Sequence, residues 1–227
     1  MNKSLKSCWN RAKSCYELKE LERLGLTPDL EQREQILIFI SMLLKWNNVA
    51  GLVSKVDEEN LFIRHFCDSL QPLLLFGFKK NASLLDIGSG GGFPAIPIRV
   101  FRPDLSMVLV ESNKKKATYL REVKKELGWE NITIFNGRVE KMAKPEKGFD
   151  YVISRGVGSL QTFSDLGKPF LAPDGHLYTF KSKNVAVELE SITSNKEKTG
   201  IKISEIAEYD LGNQIMGLNL VSLEILK

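Results

Sequence analysis

Apolar residues along this chain follow one pattern up to about residue 80 and another after it. In the first part they recur at spacings of three and four, which predicts amphipathic helices. We expect three helices, over residues 8–24, from Pro28 to about residues 47–48, and over residues 58–75. Thr27 is the predicted cap of the second helix, with Pro28 at its first position. Because such helices have apolar faces to bury, we predict that residues 1–80 form a helical extension packed on the rest of the chain.

From residue 81 onward, short apolar runs alternate with helical segments. Apolar runs bounded by turn residues predict strands buried on both faces of a parallel sheet. The predicted strands cover residues 83–87, 107–110, 132–135, 150–154 and 176–181, and the predicted helices cover 94–101, 115–127 and 160–171, with a short turn at 139–143. Alternating runs at 201–209 and 218–226 predict a closing hairpin around Gly212 and Gly217. We therefore predict an α/β domain over residues 81–227 with a doubly wound, mostly parallel sheet of seven strands.

The first predicted strand leads directly into a cluster of glycines that follows Asp86. Gly88 and Gly90 permit positive φ and let a ligand lie against bare main chain. Glu111 follows Gly88 by 23 positions and ends the second predicted strand, where an acid can accept hydrogen bonds from ribose hydroxyls. We interpret this segment as the first half of a nucleotide-binding sheet. The alternative is a tight strand–helix turn that binds nothing.

The type of nucleotide is indicated by what the glycine cluster lacks. A dinucleotide-binding fingerprint needs a third glycine where this chain has Phe93. In such sites the unpaired amides at the helix N-terminus bind the pyrophosphate. Pro94 and Pro97, both expected in the first helical turn, carry no N–H. The pattern suits a nucleoside without phosphate, and S-adenosylmethionine is the common one, with Asp86 facing its positively charged methionine end. An NAD-linked oxidoreductase is the least favoured function.

Several short motifs together make the chain similar to a known family. They are Trp46-Asn47, Arg64-His65 with Asp68-Ser69, the loop 86–97, Arg102-Pro103, residues 114–121, 137–140 and 153–155, and Lys181. The chain resembles the RsmG/GidB methyltransferases over roughly residues 40–185. The resemblance implies a class I, Rossmann-like methyltransferase fold and methylation of N7 of one guanine in small-subunit (16S) ribosomal RNA. Where the family usually has Asn, Thr and Gly, this chain has Gly51, Val53 and Ala95.

The resemblance also implies roles for individual residues. Gly88 and Phe93 would contact the cofactor, Val139 and Glu140 would frame its adenine, and Arg155 would close the site. All of these positions follow predicted strands, at the edge where open α/β sheets bind ligands. The alternatives are core packing for Val139, a solvated charge for Glu140 and an internal ion pair for Arg155.

The expected chemistry needs no general base. Guanine N7 is a ring nitrogen with an outward lone pair, so catalysis reduces to holding it in line with the methyl group. Enzymes that methylate exocyclic amines usually have an Asn/Asp-Pro-Pro-aromatic motif after the fourth strand, whereas this chain has Ser-Arg-Gly-Val-Gly at residues 154–158. We therefore assign no catalytic acid or base. The positioning candidates are Arg155, Lys181, Arg64 and His65, although an i,i+4 ion pair with Asp68 would explain Arg64 equally well.

Basic residues indicate an anionic substrate. The chain has a net charge of +4, and Lys114, Lys115 and Lys116 crowd the start of the helix after the second strand. Cations there oppose the helix dipole by about 0.3–1 kcal/mol each, a cost that favours a role in binding RNA. We predict RNA contacts for these lysines and for Lys181, with a solvated face as the alternative.

Composition narrows the remaining possibilities. Cys8, Cys15 and Cys67 have no paired spacing and are predicted to be reduced, and the two histidines match no zinc spacing, so we expect no metal. Because the sequence shows no signal peptide and no membrane-length apolar stretch, we expect a cytoplasmic protein without a membrane partner. We expect it to act as a monomer on small-subunit rRNA or the small ribosomal subunit. Two alternatives stay open: a divergent paralogue that methylates another RNA or a small acceptor, and a non-catalytic RNA-binding or assembly factor.

Overall fold

The N-terminal part of the chain is helical. The computed structural model describes residues 11–212 and 215–226, with side chains from residue 17 onward. Helix α1 (Arg11–Arg23) and helix α2 (Leu30–Ala50) match the first two predicted helices, and the predicted start at residue 8 lies outside the described residues. The predicted start of the second helix at Pro28 is wrong. Asp29 caps α2, because its carboxylate accepts from the Gln32 amide while the Gln32 side chain accepts from the Asp29 amide.

The third predicted helix is divided into three short pieces. Helix α3 (Lys55–Glu59), a π-helix (Phe62–Cys67) and helix α4 (Gln71–Leu75) replace the continuous helix expected over residues 58–75. Apolar spacing does not separate an α-turn from a π-turn, which adds one residue to the hydrogen-bonded ring. The sequence therefore predicted helical structure here and missed its local form.

Seven strands form one sheet in the order β3-β2-β1-β4-β5-β7-β6. Their bounds are β1 Ser83–Ile87, β2 Ser106–Glu111, β3 Ile132–Asn136, β4 Phe149–Ser154, β5 Leu171–Lys181, β6 Ile201–Leu211 and β7 Ile215–Ile225. The first five strands pair in parallel, and β7 is antiparallel to both β5 and β6. The predicted sheet is confirmed. Strand order reverses between β1 and β4, which is where open sheets of this type bind ligands.

The helices that connect the strands are α5 Ala95–Phe101, α6 Lys114–Glu126, α7 Leu160–Gly167, α8 Ala186–Ser194 and α9 Lys196–Thr199. Two predicted helix boundaries, the start of α5 and the end of α7, were wrong. Pro94 is the cap residue that precedes α5, outside the first turn. Helix α7 ends at Gly167, four residues before the predicted end, and a 3₁₀ turn (Lys168–Phe170) follows it. Pro169 in that turn has no N–H with which to continue the α-helical hydrogen bonds. The sequence analysis also left α8 and α9 without an assignment.

Each face of the sheet has its own hydrophobic cluster. Successive strand side chains point to opposite faces, so Leu84 and Leu85 belong to different clusters. The cluster on one face joins Leu84 to Phe39 of α2, and the other joins Leu85 to Phe163 of α7. The N-terminal helices therefore bury their apolar faces in the same core as the sheet. Within the described ranges no helix is both long and apolar enough to cross a membrane.

Candidate cofactor and substrate site

The glycine cluster forms a tight loop between β1 and α5. Gly88 and Gly92 have φ of +77° and +91°, in the left-handed region that favours glycine. A Cβ atom on Gly88 would lie 3.0 Å from Cγ2 of Val157, and one on Gly92 would lie 2.4 Å from Cδ1 of Ile96. The amides of Gly88 and Ser89 both donate to the Val110 carbonyl, at 2.9 and 3.0 Å. The loop is therefore fixed against the end of β2 and presents main chain at the ligand-binding edge.

Few amides are free for a phosphate at the start of α5. Pro94 and Pro97 have no N–H, and the amide of Ile96 donates to the Gly92 carbonyl at 2.8 Å. A pyrophosphate needs several unpaired amides at a helix N-terminus. This geometry agrees with the prediction of a nucleoside that carries no phosphate.

Glu111 ends β2 beside the glycine loop. Its carboxylate is buried, with Oε2 accepting from the Gly90 amide at 2.9 Å and Oε1 accepting from the Asn113 amide at 2.7 Å. A carboxylate has about four acceptor positions, so each oxygen keeps one for a further donor. Glu111 thus holds two loops together and still has acceptors for a pair of hydroxyls.

Asp86, at the end of β1, is fully buried, and neither of its carboxylate oxygens has a hydrogen-bond partner within the described part of the chain. Burial raises the pKa of Asp86 to about 8, with the negative charge of the nearby Glu111 acting in the same direction. The Ser89 side chain and the Ala95 amide lie close enough to lower that pKa but outside hydrogen-bonding geometry. An unpaired buried carboxylate is costly, so Asp86 is suited to a cationic or hydrogen-bond-donating ligand.

The residues after β3 frame the same edge. Val139 and Glu140 lie in a short 3₁₀ turn (Val139–Lys141), where Val139 is buried in the hydrophobic cluster and Glu140 is exposed. The Gly137 amide and the Asn136 side chain both donate to the Glu111 carbonyl, at 3.1 and 2.8 Å. The turn is therefore held close to Glu111. The contact of Val139 and Glu140 with adenine stays a prediction.

Arg155 follows β4 and connects the glycine loop to the N-terminal helices. Its Nε atom lies 2.9 Å from Oδ2 of Asp68, and a second nitrogen lies 2.7 Å from Nδ1 of His65. A third nitrogen donates to the Arg64 carbonyl at 2.7 Å, and the guanidinium lies 6.0 Å from the ring centre of Phe93. The π-helix and the residue after it therefore supply all three of these partners. π-helical turns are rare in proteins, and many of them occur at functional sites.

His65 is neutral at physiological pH. Desolvation lowers its pKa to about 4, and the positive charge of Arg155 acts in the same direction. Because a guanidinium has no acceptor, Nδ1 accepts from Arg155 and the proton of the neutral ring lies on Nε2. The ring also lies 5.3 Å from that of Phe93, centre to centre. The predicted positioning candidates Arg155 and His65 are thus brought together above a predicted cofactor contact.

The ion pairs on these helices differ from the expected one. Arg64 pairs with Asp57 at 2.8 Å, and Asp68 pairs with Arg155, so the i,i+4 pair between Arg64 and Asp68 is wrong. Asp68 is buried, and a buried carboxylate is costly unless it is paired and hydrogen-bonded. Arg155 and the Tyr209 hydroxyl supply those donors.

Comparison with known proteins identifies the family. A model of the family described as "GidB: rRNA small subunit methyltransferase G" matches residues 32–216. The chain belongs to this family. Curated proteins named "Ribosomal RNA small subunit methyltransferase G" include one from Lachnoclostridium phytofermentans, 32% identical over 92% of this chain and 88% of its own length. Another, from Streptococcus pyogenes serotype M49, is 35% identical over 76% of this chain and 74% of its own length.

Solved structures agree on the fold. A methyltransferase of Aquifex aeolicus, described as SAM dependent, has a TM-score of 0.57 and 16% identity over 75% of this chain and 96% of its own. The M. jannaschii TYW2 protein, solved in complex with AdoMet, has a TM-score of 0.55 and 19% identity over 76% of this chain and 75% of its own. The class I, Rossmann-like fold expected from the GidB resemblance is confirmed.

The lysines expected to bind RNA fall into two groups in this GidB-family chain. Lys114, Lys115 and Lys116 form the first turn of α6, and no acid in the described part of the chain pairs with them. Lys181 differs, because its ammonium lies 2.8 Å from Oε2 of Glu188 and donates to the Gly158 carbonyl at 2.8 Å. Its contact with RNA stays a prediction, and in this structure its charge holds the end of β5 to α8.

The sequence analysis missed one residue of the hydrogen-bond network around Arg155, and it missed the local role of Asn47. Tyr209 contacts Asp68 from a strand 141 positions away, and nothing in its sequence surroundings signals that contact. Asn47 is buried, and its carbonyl oxygen accepts from the amides of Leu52 and Val53, at 2.7 and 2.9 Å. Asn47 had been singled out only as part of the family motif. No group of three or more metal-ligating side chains occurs among the described residues.

Proposed function

We propose that this protein transfers the methyl group of S-adenosylmethionine to N7 of a guanine in small-subunit (16S) ribosomal RNA. The observation that carries the proposal is the pair of buried carboxylates at the glycine loop: among the described residues Asp86 has no partner in hydrogen-bonding geometry, and Glu111 keeps free acceptors. They occur in a member of a family described as rRNA small subunit methyltransferases. The bound cofactor would supply an electrophilic methyl group.

Each carboxylate suits a different part of that cofactor. Glu111 accepts hydrogen bonds from the ribose hydroxyls, and Asp86 compensates the positive charge of the methionine end. Gly88, Gly90 and Phe93 form the loop surface against which the cofactor lies. The 3₁₀ turn that contains Val139 and Glu140 frames the adenine. Support for this arrangement comes from the common location of these groups at the carboxyl ends of parallel strands.

The residues above the loop position the reactants. Guanine N7 loses no proton when it is methylated, so the protein needs alignment and exclusion of water more than a base. Arg155 and the neutral His65 suit this task because packing and hydrogen bonds fix both side chains. Arg64 forms an ion pair with Asp57, and Lys181 forms one with Glu188. We propose that these two pairs order the rim of the site.

Methylation of defined ribosomal particles tests the function. Small subunits that lack the modification are incubated with the protein and cofactor labelled in its methyl group, and the labelled nucleoside is mapped. We expect label on N7 of one guanine of the small-subunit rRNA. Label on another RNA, or on a small acceptor, would favour the divergent paralogue. Cofactor binding without any label would favour the RNA-binding or assembly factor.

The unpaired lysines at the start of α6 are proposed to contact RNA phosphates. Replacing Lys114, Lys115 and Lys116 together with glutamine should make the slope of log affinity against log salt concentration less steep by about two. Each phosphate contact that is lost reduces the number of counterions released on binding. The measurement is RNA binding over a series of salt concentrations. Glutamine at Lys124 and Lys125, in the last turn of the same helix, is the matched control. An unchanged slope in the triple variant would remove these lysines from the interface.

A further inference from the structure

The C-terminal hairpin reaches into the candidate site through one side chain. Tyr209 of β6 donates its hydroxyl hydrogen to Oδ1 of Asp68 at 2.6 Å, and both residues are buried. The other oxygen of Asp68, Oδ2, lies 2.9 Å from Nε of Arg155. A tyrosine, an aspartate and an arginine from three separate parts of the chain thus form one continuous network.

The two oxygens of Asp68 are divided between two donors. Burial raises the pKa of Asp68, whereas Arg155 and the Tyr209 hydroxyl lower it. Burial and the neighbouring Asp68 raise the pKa of Tyr209, so its hydroxyl remains a donor. With Oδ1 engaged by Tyr209, Asp68 meets the guanidinium through Oδ2.

This division determines how the guanidinium of Arg155 is oriented. Carboxylates and guanidinium groups readily form a bidentate pair through two parallel hydrogen bonds. If Oδ1 lost the Tyr209 hydroxyl, Asp68 could turn both oxygens toward Arg155 and compete for the nitrogens that now bind His65 and the Arg64 carbonyl. The guanidinium would then shift relative to Phe93 and the glycine loop.

We propose that Tyr209 is a positioning residue for methyl transfer, which acts through Asp68 to hold Arg155 against His65 above the cofactor loop. The proposal rests on the function proposed above, and it adds a residue from outside the motifs that carry the family resemblance. Its alternative is a purely structural role, in which the hydroxyl only fixes β6 to the N-terminal helices.

The first test reads the network directly and needs no substrate. The chain has two histidines, so ¹⁵N imidazole spectra contain two sets of signals, with His176 as an internal reference. In the unaltered protein we expect His65 as the Nε2–H tautomer with Nδ1 accepting a hydrogen bond. Tyr209→Phe should shift the His65 nitrogens and leave those of His176 unchanged. The control is Tyr151→Phe, which removes a hydroxyl that accepts from the Lys79 amide at 3.0 Å at the other end of the sheet. Because the ring of Tyr151 stacks on that of His176 at 6.2 Å, this control is judged on the His65 signals, which should stay unchanged.

The second test measures methyl transfer to small-subunit RNA. Tyr209→Phe should lower kcat about tenfold, because small displacements of aligned groups have large effects on rate, with less than about a threefold change in KM for the cofactor. In an Arg155→Lys background the same substitution should have almost no further effect on kcat. Tyr151→Phe should retain the kcat of the unaltered protein.

The outcomes separate the two roles. Unchanged His65 signals in Tyr209→Phe, or reductions in kcat that multiply in the double variant, would overturn the proposal in favour of the structural role. The opposite His65 tautomer in the unaltered protein would overturn it even if Tyr209→Phe did not fold. If the unaltered protein transferred no methyl group, the proposed function would fail, and the nitrogen spectra would still decide whether Tyr209 orients Arg155.

Discussion

Replacing Glu111 with glutamine should weaken S-adenosylmethionine binding about ten- to a hundredfold. A hydrogen bond to a charged group contributes about 1.5–3 kcal/mol, and the substitution removes the charge that would face the ribose. It also turns an amide N–H toward the Gly90 or Asn113 amide, both of which now donate to the carboxylate. Titration calorimetry of the purified protein measures the change.

A cofactor analogue that lacks the ribose hydroxyls distinguishes sugar binding from an effect on the loop. The unaltered protein should lose affinity for 2′,3′-dideoxy-S-adenosylhomocysteine relative to S-adenosylhomocysteine, whereas Glu111→Gln should distinguish the two ligands weakly. Glu122→Gln, at an exposed position of α6, is the control and should bind both ligands as the unaltered protein does. Equal discrimination by Glu111→Gln would refute the ribose assignment.

Replacing Asp86 with asparagine should have opposite effects on stability and on cofactor affinity. The pKa of Asp86 is raised to about 8 in the folded protein, above its ordinary value of 3.8. Between these values the unfolded chain is ionised while the folded chain holds a proton, so this group makes folding less favourable as pH rises from about 4 to 8. Asparagine does not ionise, so the variant should have the higher Tm at pH 8–9 in the absence of ligand. Thermal unfolding across this pH range measures the effect.

The same substitution should weaken cofactor binding. A positively charged ligand beside Asp86 favours its ionised form, so binding should release a proton below pH 8 and strengthen as pH rises toward that value. Calorimetry in buffers of different ionisation enthalpy should detect the released proton in the unaltered protein and none from this site in Asp86→Asn. Binding with equal affinity and no proton release in both proteins would remove Asp86 from the cofactor site.

Asp150→Asn provides the contrast for the stability measurement. The carboxylate of Asp150 accepts from the amide and the hydroxyl of Ser83, at 2.8 Å each, and these hydrogen bonds lower its pKa. Its ionised form therefore stabilises the folded protein above pH 4, and the substitution should lower Tm at pH 8–9. A higher Tm in Asp86→Asn together with a lower Tm in Asp150→Asn would show that the ionised forms of these two carboxylates affect the stability of the folded protein in opposite directions.

Local sequence determined the geometry of the proposed cofactor loop. The glycine loop, the strand before it and the acid at the end of the next strand lie close together in sequence, and a parallel β-α-β unit places them at one edge by its geometry alone. Glu111 beside Gly90 was therefore predictable. The missing phosphate donors were also predictable, because proline removes an N–H in any backbone conformation.

Only the tertiary structure decided the network around Arg155. Asp68 and Tyr209 are separated by 141 positions, and Arg155 meets a π-helix where spacing had predicted an α-helix and an Arg64–Asp68 pair. Sequence periodicity reports which residues face the core, and it carries no information about which distant donor satisfies a buried carboxylate. That choice follows from how the N-terminal helices and the hairpin pack on the sheet. Local sequence therefore specifies the glycine loop, and tertiary packing determines which side chains lie next to it.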